Sequence, residues 1–534
     1  MTTEFKRQAK NNRPSRGKDC LASTRRPSVL CFAKGEDGSL LVLGLMMFLI
    51  MAMMGGLAID LMRYEQRRTQ LQQTLDRSVL AAAAMNQKLT GESVVTDYFA
   101  KAGMADKLDS VLVDKGDNYR IVTATASSKM DTYFMHMMGV DELEADTAAV
   151  AEQRVSNIEV SMVLDISGSM GGSRINKLRP AAKEFVTTVL AAAEAGHVSI
   201  SIVPYNAQVD IGKSMMDSFN VNDNHAYSAC VELPDSAFTT NDLSTTTAYV
   251  QNAHFDPYNY TSGSSNMLYN CPPQSGNIVT PPTDSESDLH AAITNLVVGG
   301  NTSIDVGVKW GAYLLNHNAN SVIKNLVTAG KVPSKFNNRP LDPVTEDVLK
   351  VLVVMTDGEN TTEYKINDPY NSGNSNIFVH KTNDRVSVYF DRPNTTSDWW
   401  WPRTNSWNTD RDGGGKDNKY NNLTWPEVWK EYSVTYVAYH FYALALNENY
   451  NNWRNTFMTS VYSNKDTRLQ QICTAAKSQN IVIYGIGFEA PSNGRTQVRN
   501  CASSSAHYFD ASGLEISSAF RAIANNISQL RLTQ

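Results

Sequence analysis

The sequence predicts an α/β protein: an open, mostly parallel, doubly wound sheet with two large insertions, preceded by a membrane-spanning helix and a small α+β region. Three observations carry this prediction. Residues 39–59 read SLLVLGLMMFLIMAMMGGLAI, without a single charge. Three later segments, IEVSMVLDISGSM, VVGGNTSIDVGVKWGAYLL and DVLKVLVVMTDGEN, each set an oxygen-rich polar turn beside an apolar run. Further strand-like and helix-like segments alternate around them, the pattern of a parallel sheet covered by helices.

Size and charge limit the alternatives. A chain of 534 residues with 42% hydrophobic and 19% charged residues buries a full core and holds more than one domain. Its formal net charge of −6 argues against a nucleic-acid partner. The positive charge gathers at the N-terminus, where Lys6, Arg7, Lys10, Arg13, Arg16, Lys18, Arg25, Arg26 and Lys34 face only Glu4, Asp19, Glu36 and Asp37. Residues 1–38 therefore form a basic tail without hydrophobic periodicity.

As a helix at ~1.5 Å per residue, 39–59 covers roughly 30 Å, the thickness of a bilayer's hydrocarbon core. A buried core helix and a cleavable signal peptide are the alternatives; the length of the run and of the basic region before it favours a retained anchor. The excess of Lys and Arg before the span places the tail in the cytoplasm and the bulk of the chain across the membrane. Cys20 and Cys31 then fall on the reducing side. Cys230, Cys271, Cys473 and Cys501 fall on the oxidising side, where Cys230–Cys271 and Cys473–Cys501 are the favoured pairs because each lies within one region of the chain; four buried free thiols are the alternative.

Residues 60–87 extend the helix outward. They lack Gly and Pro, and Leu57, Leu61, Tyr64, Leu71 and Leu75 recur at helical spacing, a stripe that needs a partner in the next domain or in another subunit. In the small region 88–153, NYRIVTATAS alternates as a half-buried strand and MDTYFMHMMG is compatible with a helix.

From 157 onward the doubly wound sheet begins. IEVSMVLD is a strand, INKLRPAAKEFVTTVLAAAEA an amphipathic helix, HVSISIVPYN a second strand, and VLKVLVVMT and NIVIYGIGF two more. In such sheets ligands bind at the carboxyl ends of the strands. Asp165, Ser167, Ser169, Thr302 and Asp357 would meet there. Hydroxyls and carboxylates without His or Cys form an all-oxygen shell suited to a hard cation such as Mg2+, with Mn2+ or Ca2+ also compatible. A cation held mainly by neutral hydroxyls remains under-neutralised and seeks a carboxylate from a protein partner.

Asp-x-Ser-x-Ser at 165–169, Thr302 after GGN and Asp357 in VVMTDG resemble the metal-ion-dependent adhesion site of von Willebrand factor A domains. The resemblance covers about 157–534. It implies direct metal ligation by Ser167, Ser169 and Thr302, with Asp165 and Asp357 behind them. The anchor ending GGLAIDLMRYEQRRTQLQQTLDRSVLAAAA, and its combination with such a domain, resemble the TadG-like members of the TadE/TadG family. That likeness implies a non-enzymatic protein of Flp (tight-adherence) pilus assembly or adhesion in a bacterial inner membrane, its bulk periplasmic or at the cell surface, with pilus subunits or other assembly proteins as partners. Neither Gly35 nor Gly38 is followed five residues on by the Glu of a processed pilin-like subunit, so a retained anchoring protein is expected. A structural envelope protein with an unused metal site is the alternative. A metal-dependent hydrolase is the remote one, since the three metal segments hold no His and no G-x-S-x-G turn occurs.

Two insertions interrupt the sheet, about 209–290 and 361–465. The second holds seven of the eight tryptophans, including Trp399, Trp400 and Trp401, which are candidates either for partner contact or for a private core. Within it, NTDRDGGGKDN is similar to half a calcium loop but has Lys419 where a bidentate Glu is needed, and is expected to be a turn.

Overall fold

A computed structural model describes residues 37–84, 89–115, 119–154, 157–191, 196–263, 267–344 and 347–533. The basic tail lies, up to residue 36, outside the described residues. The chain divides into two compact units, 1–153 and 154–534.

In the first unit, α1 (Asp37–Ala83) is one continuous helix of 47 residues, long and apolar enough to cross a membrane. Residues 40–55 are exposed around its whole circumference. Its last turns bury Leu71, Leu75, Val79 and Ala82 against Val94, Val95 and Phe99 of α2 (Gly91–Lys101) and against Val122, Ala124 and Ala126. The expected stripe thus finds its partner in the same chain, fully buried only from Leu71 onward. Leu57 and Leu61 remain 38% and 52% exposed, because along that part of α1 the sheet unit, among the described residues, touches the helix only through the turn at 133–139 and at Tyr64. That sheet has the order β1 (Leu108–Lys115), β2 (Tyr119–Asp131), β3 (Glu142–Arg154), with β1 antiparallel to β2. The stretch from Met130 to Gly139 is helical only over the single turn Met135–Met138, since β2 runs on to Asp131.

In the second unit the core elements are β4 (Asn157–Asp165), α3 (Ser173–Ala191), β5 (Val198–Tyr205), β6 (Thr280–Thr283), α4 (Glu286–Thr294), α5 (Ile304–Tyr313), α6 (Asn320–Thr328), β7 (Val348–Thr356), α7 (Lys465–Ser478), β8 (Ile481–Phe488), α8 (Ser492–Cys501), β9 (Tyr508–Ala511) and α9 (Glu515–Thr533). They build a six-stranded sheet of order β9–β8–β7–β4–β5–β6, parallel except for β6 at one edge. Successive residues of a strand point to opposite faces. Ile158, Val160, Met162 and Leu164 of β4 pack with α3, α4 and α9, whereas Val163 joins the core of α5, α6, α7 and α8. Burial on both faces explains why the second halves of β4 (Met162–Leu164) and β7 (Val351–Met355) are continuously apolar rather than alternating.

Strand β6 and the start of α4 belong to this core, so the first insertion ends near residue 279, about eleven residues earlier than its expected limit. The second insertion forms a five-stranded sheet of order 406–408, 399–401, 386–389, 374–380, 420–424. Its hydrophobic core takes in Ala253 and Phe255 of the first insertion, whereas Val209, Ile211, Met215, Phe219, Val231 and Phe238 of that insertion join the core of α5, α6, α7 and α8. Both expected disulfides are present, Cys230–Cys271 within the first insertion and Cys473–Cys501 joining α7 to α8.

Candidate metal edge of the C-terminal unit

Strands β4 and β7 are neighbours, and the chain leaves them in opposite directions along the sheet, β4 toward β5 and β7 toward β8. A crevice at their carboxyl ends follows from that divergence. Asp165 ends β4 and Asp357 directly follows β7. The turn after Asp165 is drawn to the GGN loop by two backbone bonds, Gly168 N–H to Gly300 O at 2.9 Å and Gly299 N–H to Ile166 O at 2.8 Å. Thr302 is fixed on the other side, its N–H donating to Thr361 Oγ1 at 2.8 Å and its carbonyl accepting from Thr361 N–H at 2.9 Å.

All five predicted residues meet. Ser167 Oγ and Ser169 Oγ are 3.0 Å apart, and Ser169 Oγ donates to Asp357 Oδ1 at 2.7 Å. Gly358 lies between the hydroxyls: a carbon added to it would stand 3.4 Å from Thr302 Oγ1 and 3.8 Å from Ser169 Oγ. Asp165, Ser167, Thr302 and Asp357 are buried, while Ser169 opens to solvent.

The two carboxylates differ in their neutralisation. Asp165 accepts from Ser167 N–H at 2.8 Å, Thr356 Oγ1 at 2.7 Å and Tyr205 Oη at 3.4 Å, all neutral donors. Burial, followed by the nearby charge of Asp357, pushes its carboxyl up to about 6. Tyr205 is raised as well, by burial and then by Asp165. Burial also raises Asp357, against the bonds from Ser169 and Arg174. Arg174 Nη1 donates to Asp357 Oδ2 at 2.7 Å, while its Nε binds Glu489 at 3.0 Å.

Beneath the Thr302 loop lies a buried ionic layer. Lys465 Nζ donates to the carbonyls of Thr302 at 3.2 Å and Thr361 at 2.9 Å, and Arg468 joins Asp305 to Glu363. Burial pulls the Lys465 amine below its ordinary value, opposed by Asp305 and Glu363. Glu363 stands at the start of the second insertion and Lys465 at its end, so the insertion's root and the Thr302 loop are held by the same charges.

Reading the sequence missed Arg174, Tyr205, Thr356, Lys465 and Glu489. Only Thr356, adjacent to Asp357, carried a positional hint. Among the described residues no group of three or more His, Cys, Asp or Glu could hold a metal. The hydroxyl-rich edge suits a hard cation, with Ser167, Ser169 and Thr302 as candidate donors and the buried Asp165 supplying uncompensated charge.

The tryptophans serve mainly as core. Trp400 is buried with its Nε1 donating to His440 O at 2.9 Å, and so takes the core role of the two expected for it rather than that of a partner contact. The pleat sends Trp399 and Trp401 to the other face, where they are half-buried; Trp399 packs on Phe378 at 5.2 Å and under the Arg411 guanidinium at 4.4 Å. The turn at 408–418 has no calcium-loop chemistry: Asp412 is buried between Arg403 and Arg385 at 3.0 and 3.3 Å.

Residues 38–85, nearly coincident with α1, match the family model described as putative Flp pilus-assembly TadE/G-like. Comparison with curated protein sequences found no match. Among solved structures, the chain is similar to the vWF domain of the type V pili tip protein Mfa5 from Porphyromonas gingivalis, with 14% identity, 70% of this chain and 96% of that one covered, and a TM-score of 0.32. It is also similar to the adhesive tip pilin GBS104 from Group B Streptococcus agalactiae, with 10% identity, coverage of 70% and 100%, and a TM-score of 0.31. The pilus adhesin SpaC from Lactobacillus rhamnosus GG gives 12% identity, coverage of 79% and 34%, and a TM-score of 0.29.

Proposed function

We propose that this chain is a membrane-anchored, non-enzymatic protein of pilus assembly or adhesion, whose C-terminal unit is a doubly wound domain of the von Willebrand factor A type. Its oxygen-lined edge grips a protein partner's carboxylate through Mg2+, with Mn2+ or Ca2+ as substitutes. The observation that carries this reading is Asp165, a buried carboxylate with three neutral donors and, among the described residues, no cationic one, beside Ser167, Ser169 and Thr302. A divalent ion would supply the missing charge and leave a net attraction for an acidic side chain. The TadE/G-like match over α1 supports the pilus context, with pilus subunits or other assembly proteins as partners and the bacterial inner membrane as the site of anchoring.

Arg174 favours a second reading. By bonding Asp357 it neutralises part of the edge from within, as would suit a structural envelope module that uses no metal. Calorimetric titration of the full chain in detergent micelles with Mg2+, Mn2+ and Ca2+ separates the two. Saturable binding that Asp165→Ala abolishes supports the adhesion site; a folded parent that takes up none of the three ions refutes it.

A further inference from the structure

The turn between β2 and β3 has no role in the function proposed above, yet it is built with care. Asp60 of α1 is buried, and its carboxylate accepts three backbone N–H groups from that turn: Tyr133 at 3.1 Å, Phe134 at 2.7 Å and Met135 at 2.9 Å. One helical turn earlier, on the same face, Gly56 lets the Phe134 ring lie directly on the helix backbone; a carbon added there would stand 2.4 Å from the ring. The turn is thus pinned to α1 beside the stretch expected to cross the membrane.

Its apolar side chains point along the helix toward that stretch. A crevice of about 140 Å³ is lined by Leu49, Met53 and Leu57 of α1 and by Phe134, Met137 and Met138 of the turn. Leu49 lies 11 residues before Asp60, about 16 Å along the axis. Met137 and Met138 are nonetheless 77% and 60% exposed, and Tyr133 is 66% exposed. Such side chains, continuous with the bare apolar surface of residues 40–54, form an apolar patch that water penalises.

We propose that the Tyr133–Gly139 turn is a second membrane contact, immersed in the acyl chains of the leaflet on the Asp60 side. Two further observations single out lipid as the occupant. Backbone polar groups entering hydrocarbon must be satisfied internally. Besides the three bonds to Asp60, Met137 N–H bonds Phe134 O, Gly139 N–H bonds His136 O and Val140 N–H bonds Met135 O. Arg63 pairs with Asp60 at 3.7 Å and stacks on Tyr133 at 4.0 Å, with Arg67 and Arg68 just beyond, where headgroups would lie, and the one polar side chain of the Met135–Met138 turn, His136, is turned back to pair with Asp141 at the turn's base. The turn would fix the rotation and depth of α1 in the bilayer, as an amphipathic interfacial element does.

This inference rests on the reading of α1 as a membrane span, and the experiment tests the two separately. The full chain, with Cys20→Ser and Cys31→Ser, is reconstituted in phosphatidylethanolamine and phosphatidylglycerol vesicles. A nitroxide is attached at Met137→Cys, at Met46→Cys within the span, or at Lys129→Cys on β2. Power saturation with oxygen and with a water-soluble nickel chelate is then read at each position. The expected result is oxygen access without nickel access at both Met46 and Met137, and nickel access at Lys129. Nickel access at Met137 with Met46 still in lipid overturns the second contact alone. Protection of Met137 from both reagents overturns it in favour of a protein cover, such as a second copy of the chain. Nickel access at Met46 overturns the span itself and the inference with it.

Discussion

Asp60 and Asp165 are both buried carboxylates that organise a turn, and they are satisfied in different ways. Asp60 receives three backbone N–H groups and the Arg63 guanidinium, so its charge is spent on holding two segments of its own unit together. Asp165 receives two hydroxyls and one N–H, with no cation among the described residues. A buried charge without a counter-charge is costly. The first carboxylate is therefore a structural clamp and the second fits a ligand site in waiting, a distinction that burial alone does not reveal.

Removing each carboxylate should separate these roles most strongly. Asp60→Ala leaves three N–H groups without their acceptor and Arg63 without its partner, and should release the turn from the helix. Hydrogen exchange at Tyr133, Phe134 and Met135 should accelerate by at least roughly 100-fold; unchanged protection would break the comparison. Asp165→Asn should do the opposite to the metal-free protein, raising its stability at neutral pH by roughly 3 kcal/mol while ending Mg2+ binding. Denaturant titration with EDTA present, set beside calorimetry, reads both effects.

The pH dependence follows with a definite sign. In the metal-free protein Asp165 titrates near about 6, above its ordinary 3.8, so the folded chain holds this proton longer than the unfolded one. The contribution to stability is complete below about pH 4 and is lost as pH rises through about 6. Asp357, raised as well, adds in the same direction. Mg2+ must displace the proton, so its affinity should fall by up to about tenfold per pH unit below about 6. A flat affinity between pH 5 and 7 would show that Asp165 does not couple to the ion.

Smaller effects sharpen the contrast. Gly56→Val forces Phe134 off the helix and should cost about 1 to 3 kcal/mol, read as faster proteolysis within 132–140. Arg174→Met removes the internal cation from Asp357, and should strengthen Mg2+ binding by about 1 kcal/mol if Arg174 and the ion compete for that carboxylate. Weaker binding would mean that Arg174 instead positions Asp357 for the ion.

Much of this was legible in the chain because it is written in local pattern. Largely apolar segments bounded by polar turns announced β4, β5, β7 and β8; uncharged length announced α1; and the spacing of Asp165, Ser167 and Ser169 after a strand announced a polar turn at a sheet edge. Even the disulfide pairing followed from proximity along the chain. The tryptophans were legible only as a group. Composition required the second insertion to fold, but whether Trp400 faced a partner or a core depended on its place in the pleat and on the His440 carbonyl 40 residues away.

Length, periodicity and turn chemistry thus determined the anchor, the sheet and the set of oxygen donors, since each depends on neighbours within a few residues. The tertiary structure alone decided how each charge is met. Asp60 finds its N–H partners 73 to 75 residues onward. Asp165 is bonded by Thr356 across 191 residues, and Arg174 reaches Asp357 across 183. Electrostatic satisfaction is a property of three-dimensional neighbours and of the water they exclude, and no one-dimensional spacing encodes it.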